Sequence, residues 1–241
     1  MAHLDAQLSA ILEPSTAGQD PEKRRQILDG ARAVFLTHGF ERASMGEISR
    51  TANVSKGTLY VYFGSKQDLF AALVHEECAQ TAERTVVFDD TMDDVQAALM
   101  SVGRNYVRAM TRPEHIATVR TVIAVAEKFP EVGTVFLRSG LLTGVARLAA
   151  WLRCQVGRGR LALDDPDLAA AHFLVGCHGV LVLPMLFAGS GPPAETEIEQ
   201  AVAHSVGVFL RACAPSCAPC GTQPQAGAPS PASNSADSPS R

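Results

Sequence analysis

Charge is scarce in this chain and unevenly placed. Asp, Glu, Lys and Arg make up only 19% of its 241 residues, and from Leu168 to Ala194 there is none. That stretch is long enough to cross a bilayer. His172, His178 and Pro184 interrupt it and no cationic anchors flank it, so burial within a helical bundle or against a second subunit is expected, and no membrane. The N-terminus has no cationic start leading into an apolar run and a cleavage site, so export is not expected and a cytoplasmic location is. No nucleophile and no glycine-rich phosphate loop accompanies Asp164, Asp165 and Asp167. With Pro166 they read as a helix start whose acids favour the dipole, so neither enzyme activity nor a cofactor is expected.

Six cysteines (78, 154, 177, 213, 217 and 220) are scattered through a chain large enough to fold without staples, and reduced thiols are expected. Cys213, Cys217 and Cys220 have no fixed fourth ligand, so no metal site is expected. Large apolar residues almost vanish from residues 212–241, which are rich in Pro, Ser, Ala and Gly and are expected to be disordered. Residues 1–20 carry only a short apolar string at Leu4, Leu8, Ile11 and Leu12, expected to be a flexible arm.

What remains has no strand alternation and repeats apolar residues at helical spacing. Ile27, Ala31, Val34 and Phe35 form one stripe, ended by Gly39, and Leu69, Leu73 and Val74 another. Further stripes are Val95, Leu99, Val102 and Tyr106; Ile116, Val119, Ile123 and Ala126; Leu141, Val145, Leu148 and Leu152; and Ile198, Val202, Val206 and Phe209. The expected class is all-α, with a small domain over residues 21–81 and a larger helical bundle over residues 82–211.

Between Ser44 and Phe63 the chain reads SMGEISRTANVSKGTLYVYF. Ser44 and Glu47 have capping-box spacing, so a helix starts near Met45. Asn53 tolerates the left-handed backbone of a sharp turn, Val54 plugs the core behind it, and Ser55 caps a second helix. Leu59 and Phe63 pack inward, leaving Lys56, Gly57, Thr58 and Tyr60 on a small, cationic, hydroxyl-bearing face that fits a major groove. This is the pattern of a helix-turn-helix. From Glu22 to Lys66 there are eight Lys or Arg against four acids, a net +4 in a chain of net −4, so the remainder carries −8. That asymmetry suits a basic module approaching phosphate.

The segments RRQILDGARAVFLTHGF, ASMGEISRTANVSKGTLYVYF and GSKQDLF, from Arg24 to Phe70, resemble the DNA-binding domain of the TetR/AcrR family of bacterial repressors. Asn53 departs from the usual turn glycine. EKFPEVGTVFL and DDPDLAAAHFLVG resemble the AefR-like ligand domain of that family. The resemblance implies an N-terminal three-helix DNA-binding domain and a C-terminal helical ligand-binding and dimerisation bundle. It implies phosphate contacts from Ser44, Ser55, Lys56, Thr58, Tyr60 and Lys66, with Gly57, Thr58 and Tyr62 near base edges. It further implies a homodimer, joined through the last two helices, on a palindromic double-stranded DNA operator.

The expectation is a transcriptional repressor relieved by a small, apolar inducer, with the helix from Ser65 to about Glu83 tilting the heads. Two alternatives stand beside it: a thiol-based redox sensor on the same scaffold, and an enzyme or carrier that keeps the helix-turn-helix only for packing. His172, His178, Tyr106, Phe129, Phe136 and Trp151 fit either pocket lining or ordinary core, and no inducer contact is assigned.

Overall fold

The computed structural model describes residues 20–88 and 94–214, and every regular element among them is helical. α1 (Pro21–Arg42), α2 (Met45–Thr51) and α3 (Lys56–Tyr62) form a head, and α4 (Lys66–Thr85) leaves it. The larger bundle contains α5 (Val95–Met110), α6 (Pro113–Ala126) and α7 (Pro130–Leu137), which a π turn (Arg138–Leu142) joins to α8 (Thr143–Gly157). α9 (Pro166–Ala188) and α10 (Glu195–Ala212) complete it. Most of the expected arm and tail lies outside the described residues. Ala212 ends α10, however, and the buried Cys213 accepts a hydrogen bond from the Ala162 amide at 2.9 Å, so the bundle continues slightly past 211.

Short polar side chains start each helix of the head. Asp20 accepts from the Glu22 amide at 2.9 Å, Ser44 from Glu47 at 3.2 Å, Ser55 from Thr58 at 2.9 Å and Ser65 from Asp68 at 3.1 Å. Each satisfies an amide the helix cannot pair for itself. The capping box at Ser44 forms only by half, because the Glu47 carboxylate turns to His38 Nε2 at 3.0 Å. Asn53 sits at φ 52, the left-handed turn expected of it, and Gly39 at φ 73 breaks α1 before its last residues.

Four apolar clusters share the described residues, three of them large. In the head, Ile27, Ala31, Val34, Ile48, Leu59 and Phe63 meet Leu69 and Leu73 of α4. The next faces of α4 present Phe70, Val74 and Cys78 to Phe40 and to Val122, Val125, Val132 and Val135 of α6 and α7. The boundary expected after residue 81 therefore falls inside a helix that belongs to both bodies. The third core unites α5, α8, α9 and α10 around Leu99, Leu148, Phe173, Leu174 and Val202.

One stripe is misphased. Ile123 is 59% exposed, while Val122 and Val125 are buried. α6 lies between two cores and turns different faces to each: Ile116 packs with Val182 and Met185, and Val122 and Val125 pack against α7. The stripe of Ile198, Val202, Val206 and Phe209 is buried within the single chain. The apolar face left outward belongs chiefly to α9, where Val180 is 68% and Phe187 81% exposed.

Candidate functional site

The second helix of the motif presents its face outward. Ser55, Lys56, Gly57 and Tyr60 are exposed, as is Ser44 at the start of α2, and Thr58 is half-buried. The Ser55 and Thr58 hydroxyls also meet at 2.8 Å, which fixes both at the mouth of α3. Beneath this face the packing is tight. A Cβ added to Gly30 would lie 2.6 Å from Ala52 Cβ and 2.7 Å from the Ala52 Cα and amide nitrogen. Gln26 Nε2 donates to the Ala52 carbonyl at 2.7 Å, tying α1 to the end of α2.

Two of the expected contact residues have other partners. The Lys66 ammonium donates to the carbonyls of Phe40 at 2.7 Å and Glu41 at 3.1 Å and lies 4.4 Å from the centre of the Phe40 ring. It closes the carbonyl end of α1, which leaves one donor for any external group. The Tyr62 hydroxyl accepts from the Asp20 amide at 3.0 Å, so it anchors the entry to α1.

A cavity of about 320 Å³ lies between α4, α5, α6, the π turn and α9. Cys78, Thr81, Ala82 and Thr85 of α4 form one wall, so the helix that leaves the head also bounds the cavity. Phe136, Val119 and Leu183 supply apolar lining, and the polar groups are chiefly Tyr106, His115 and His178. His178 Nδ1 lies 2.7 Å from the Leu174 carbonyl and must donate to it, leaving Nε2 as the acceptor of the neutral ring. Burial lowers the His178 pKa despite that hydrogen bond. His115 is held down to about 4 by burial, with His178 and Arg112 adding to the effect. Both imidazoles are thus neutral at neutral pH. Burial raises the Tyr106 phenol above its ordinary range.

Tyr106, Phe136 and His178 therefore line a cavity, whereas Trp151 stacks on Phe88 at 4.4 Å and Phe129 joins the aromatic contacts around Phe40 at 6.4 Å. His172 is exposed on α9, away from the cavity. His115 was not anticipated: it follows Pro113 and Glu114 at a helix start and stands one position off the apolar stripe. Its helical phase relative to Ile116 and Val119 was the available signal.

The thiol-sensor alternative finds no support. Cys78 and Cys177 are buried and burial pushes both thiols up to about 12, the reverse of an activated thiolate. Cys213 is also buried and raised, Cys154 is exposed, and Cys217 and Cys220 lie outside the described residues. Among the described residues no group of three or more His, Cys, Asp or Glu is arranged to hold a metal. α9 and the run from Pro130 to Gly157 are long and apolar enough to span a membrane by length and composition alone. Each also packs into the third core, through Phe173 and Leu174 and through Leu148 and Leu152.

Comparison with known proteins agrees with this geometry. Residues 27–73 match the family described as bacterial regulatory proteins, tetR family, and residues 97–215 match the AefR-like transcriptional repressor, C-terminal domain. The HTH-type transcriptional repressor AcnR of Corynebacterium glutamicum is 34% identical over 106 residues, covering 44% of this chain and 55% of that protein. The chain thus spans about half the length of the curated relatives it matches. Among solved structures, the flavonoid-responsive regulator FrrA is 33% identical with a TM-score of 0.71, over 81% of this chain and 99% of that one. A TetR-family transcriptional regulator of Mesorhizobium loti is 26% identical with a TM-score of 0.75, over 80% of this chain and 97% of that one. With an exposed recognition helix on a tightly crossed three-helix head, and a relative matched over nearly its whole length, the chain belongs to the TetR family of transcriptional regulators.

Proposed function

We propose that this regulator is a cytoplasmic homodimeric repressor whose two heads bind a palindromic operator and release it when a small, largely apolar molecule fills the cavity beside α4. The observation that carries the reading is the double duty of α4. Its first turns bear Leu69 and Leu73 of the head core, and its last turns bear Thr81, Ala82 and Thr85 of the cavity wall. A ligand wedged against one end of a rigid helix displaces the other. Weakening operator binding tenfold requires only about 1.4 kcal/mol of preference for the released state. The name of AcnR supports the repressing sign, and that of FrrA supports an aromatic effector.

In this reading Ser44, Ser55, Lys56 and Tyr60 meet phosphates, while Gly57 and Thr58 face base edges. Tyr62 and Lys66 act from behind, fixing where α1 begins and how it meets α4. The exposed apolar face of α9, with Val208 of α10, pairs with its two-fold copy. The two recognition helices then enter major grooves about 34–36 Å apart if the half-sites are one turn apart.

Selecting source-genome fragments on the purified protein at low salt tests the proposal. A palindrome should emerge, and adding the cognate effector should lower its affinity at least about tenfold. Retention of no fragment in the absence of any small molecule would sink it.

A further inference from the structure

Resting on the reading of the cavity as the effector site, we infer that its ligand is uncharged and carries a hydroxyl group, bound between Tyr106 and His178, on an otherwise apolar body. Tyr106 is only 6% exposed, yet its hydroxyl has no hydrogen-bond partner among the described residues. A buried hydroxyl left unpaired carries a desolvation penalty that nothing offsets, so this one marks where a polar ligand atom belongs.

The complementary atom is His178 Nε2. Because Nδ1 donates to Leu174, Nε2 can only accept in the neutral ring. The two rings meet edge to face with centroids 5.3 Å apart, and both residues line the cavity. A ligand hydroxyl suits this pair because it is donor and acceptor at once: its hydrogen goes to Nε2 and its oxygen receives the Tyr106 proton. An ether could only accept and would leave Nε2 unpaired.

Charge is excluded by the rest of the lining. No Asp, Glu, Lys or Arg among the described residues borders the cavity. With both imidazoles neutral and no cation in the lining, a carboxylate would lose its hydration without a direct ion pair in return. Phe136 and Val119 on the remaining walls accept an aromatic or alicyclic body.

Isothermal titration of the DNA-free, full-length protein with naphthol, methoxynaphthalene and naphthoate tests this. The three share a ring system and differ in the one group at issue. Naphthol should bind at least about tenfold more tightly than either of the others. Tyr106→Phe should weaken naphthol and its methyl ether alike, since each oxygen accepts the Tyr106 proton, while naphthol keeps its advantage over the ether through His178 Nε2. Equal or tighter binding of the ether or the acid by the wild-type protein overturns the inference. So does failure of both naphthol and decanol to bind at their solubility limits. Operator binding is assayed separately. Protein that ranks the probes as expected but ignores genomic DNA would leave this inference standing and remove the repressor reading.

Discussion

Lys56 and Lys66 bear the same ammonium in different surroundings, and surroundings decide what each contributes. Lys66 rests between two main-chain carbonyls and an aromatic face, so its removal takes away packing and a helix closure. Lys56 is exposed at the first position of α3 and is free to meet phosphate. Lys56→Ala is expected to leave the melting temperature unchanged and to reduce the slope of log affinity against log salt by about 0.9, as fluorescence anisotropy over a range of potassium chloride would measure. Lys66→Ala is expected to lower the melting temperature first. A salt slope lost with Lys66 and kept with Lys56 would reverse these roles. The sequence supplied both lysines and the cap residues around them, because caps act over three or four residues. It could not distinguish the lysines, since the Phe40 carbonyl reaches Lys66 only after α1 has turned at Gly39. The pairing of Tyr106 with His178 was hidden for the same reason: the partners lie on different helices.

At the scale of the helix, the crossing of α1 and α2 is the most exacting contact in the head. A methyl group at Gly30 would run into the Ala52 backbone, which has no rotamer by which to yield. Gly30→Ala should therefore destabilise the head by about 1–3 kcal/mol, in spite of the better helix propensity of alanine. The expected result is a lower first thermal transition and weaker operator binding, read by circular dichroism and gel shift. An unchanged or raised melting temperature would show that the helices part more easily than the geometry allows. The helix-turn-helix was legible because its N-caps and its left-handed Asn53 are local. The phase of α6 was not, because one helix serving two cores has no single apolar stripe for periodicity to reveal.

For the molecule as a whole, the large apolar side chains of α9 that remain in water pose the question of assembly. Leu168, Val175, Val180, Leu183 and Phe187 are each about half exposed or more, and a patch of that kind on a regulator marks an interaction surface. If the proposed dimer forms through this face, Phe187→Glu is expected to convert it into monomers in light scattering and to abolish binding to a full palindrome while leaving the fold intact. A variant that stays dimeric would move the interface elsewhere. The sequence exposed the charge-free run but not which side of it faces inward. That side is settled by α5, α8 and α10, which cover Phe173, Leu174 and Cys177.

α4 has twenty residues without a break, which at 1.5 Å per residue makes a rod about 30 Å long. Turned about its cavity end by about 5°, such a rod carries its far end through about 2.6 Å. In the proposed dimer, subunits related by a two-fold axis would move in opposed senses, and the gap between reading heads would change by up to about 5 Å on a span near 34 Å. The gearing is geometric: under the proposed switch, a molecule small enough to sit among a few side chains would command a displacement comparable with the rise of a whole helical turn.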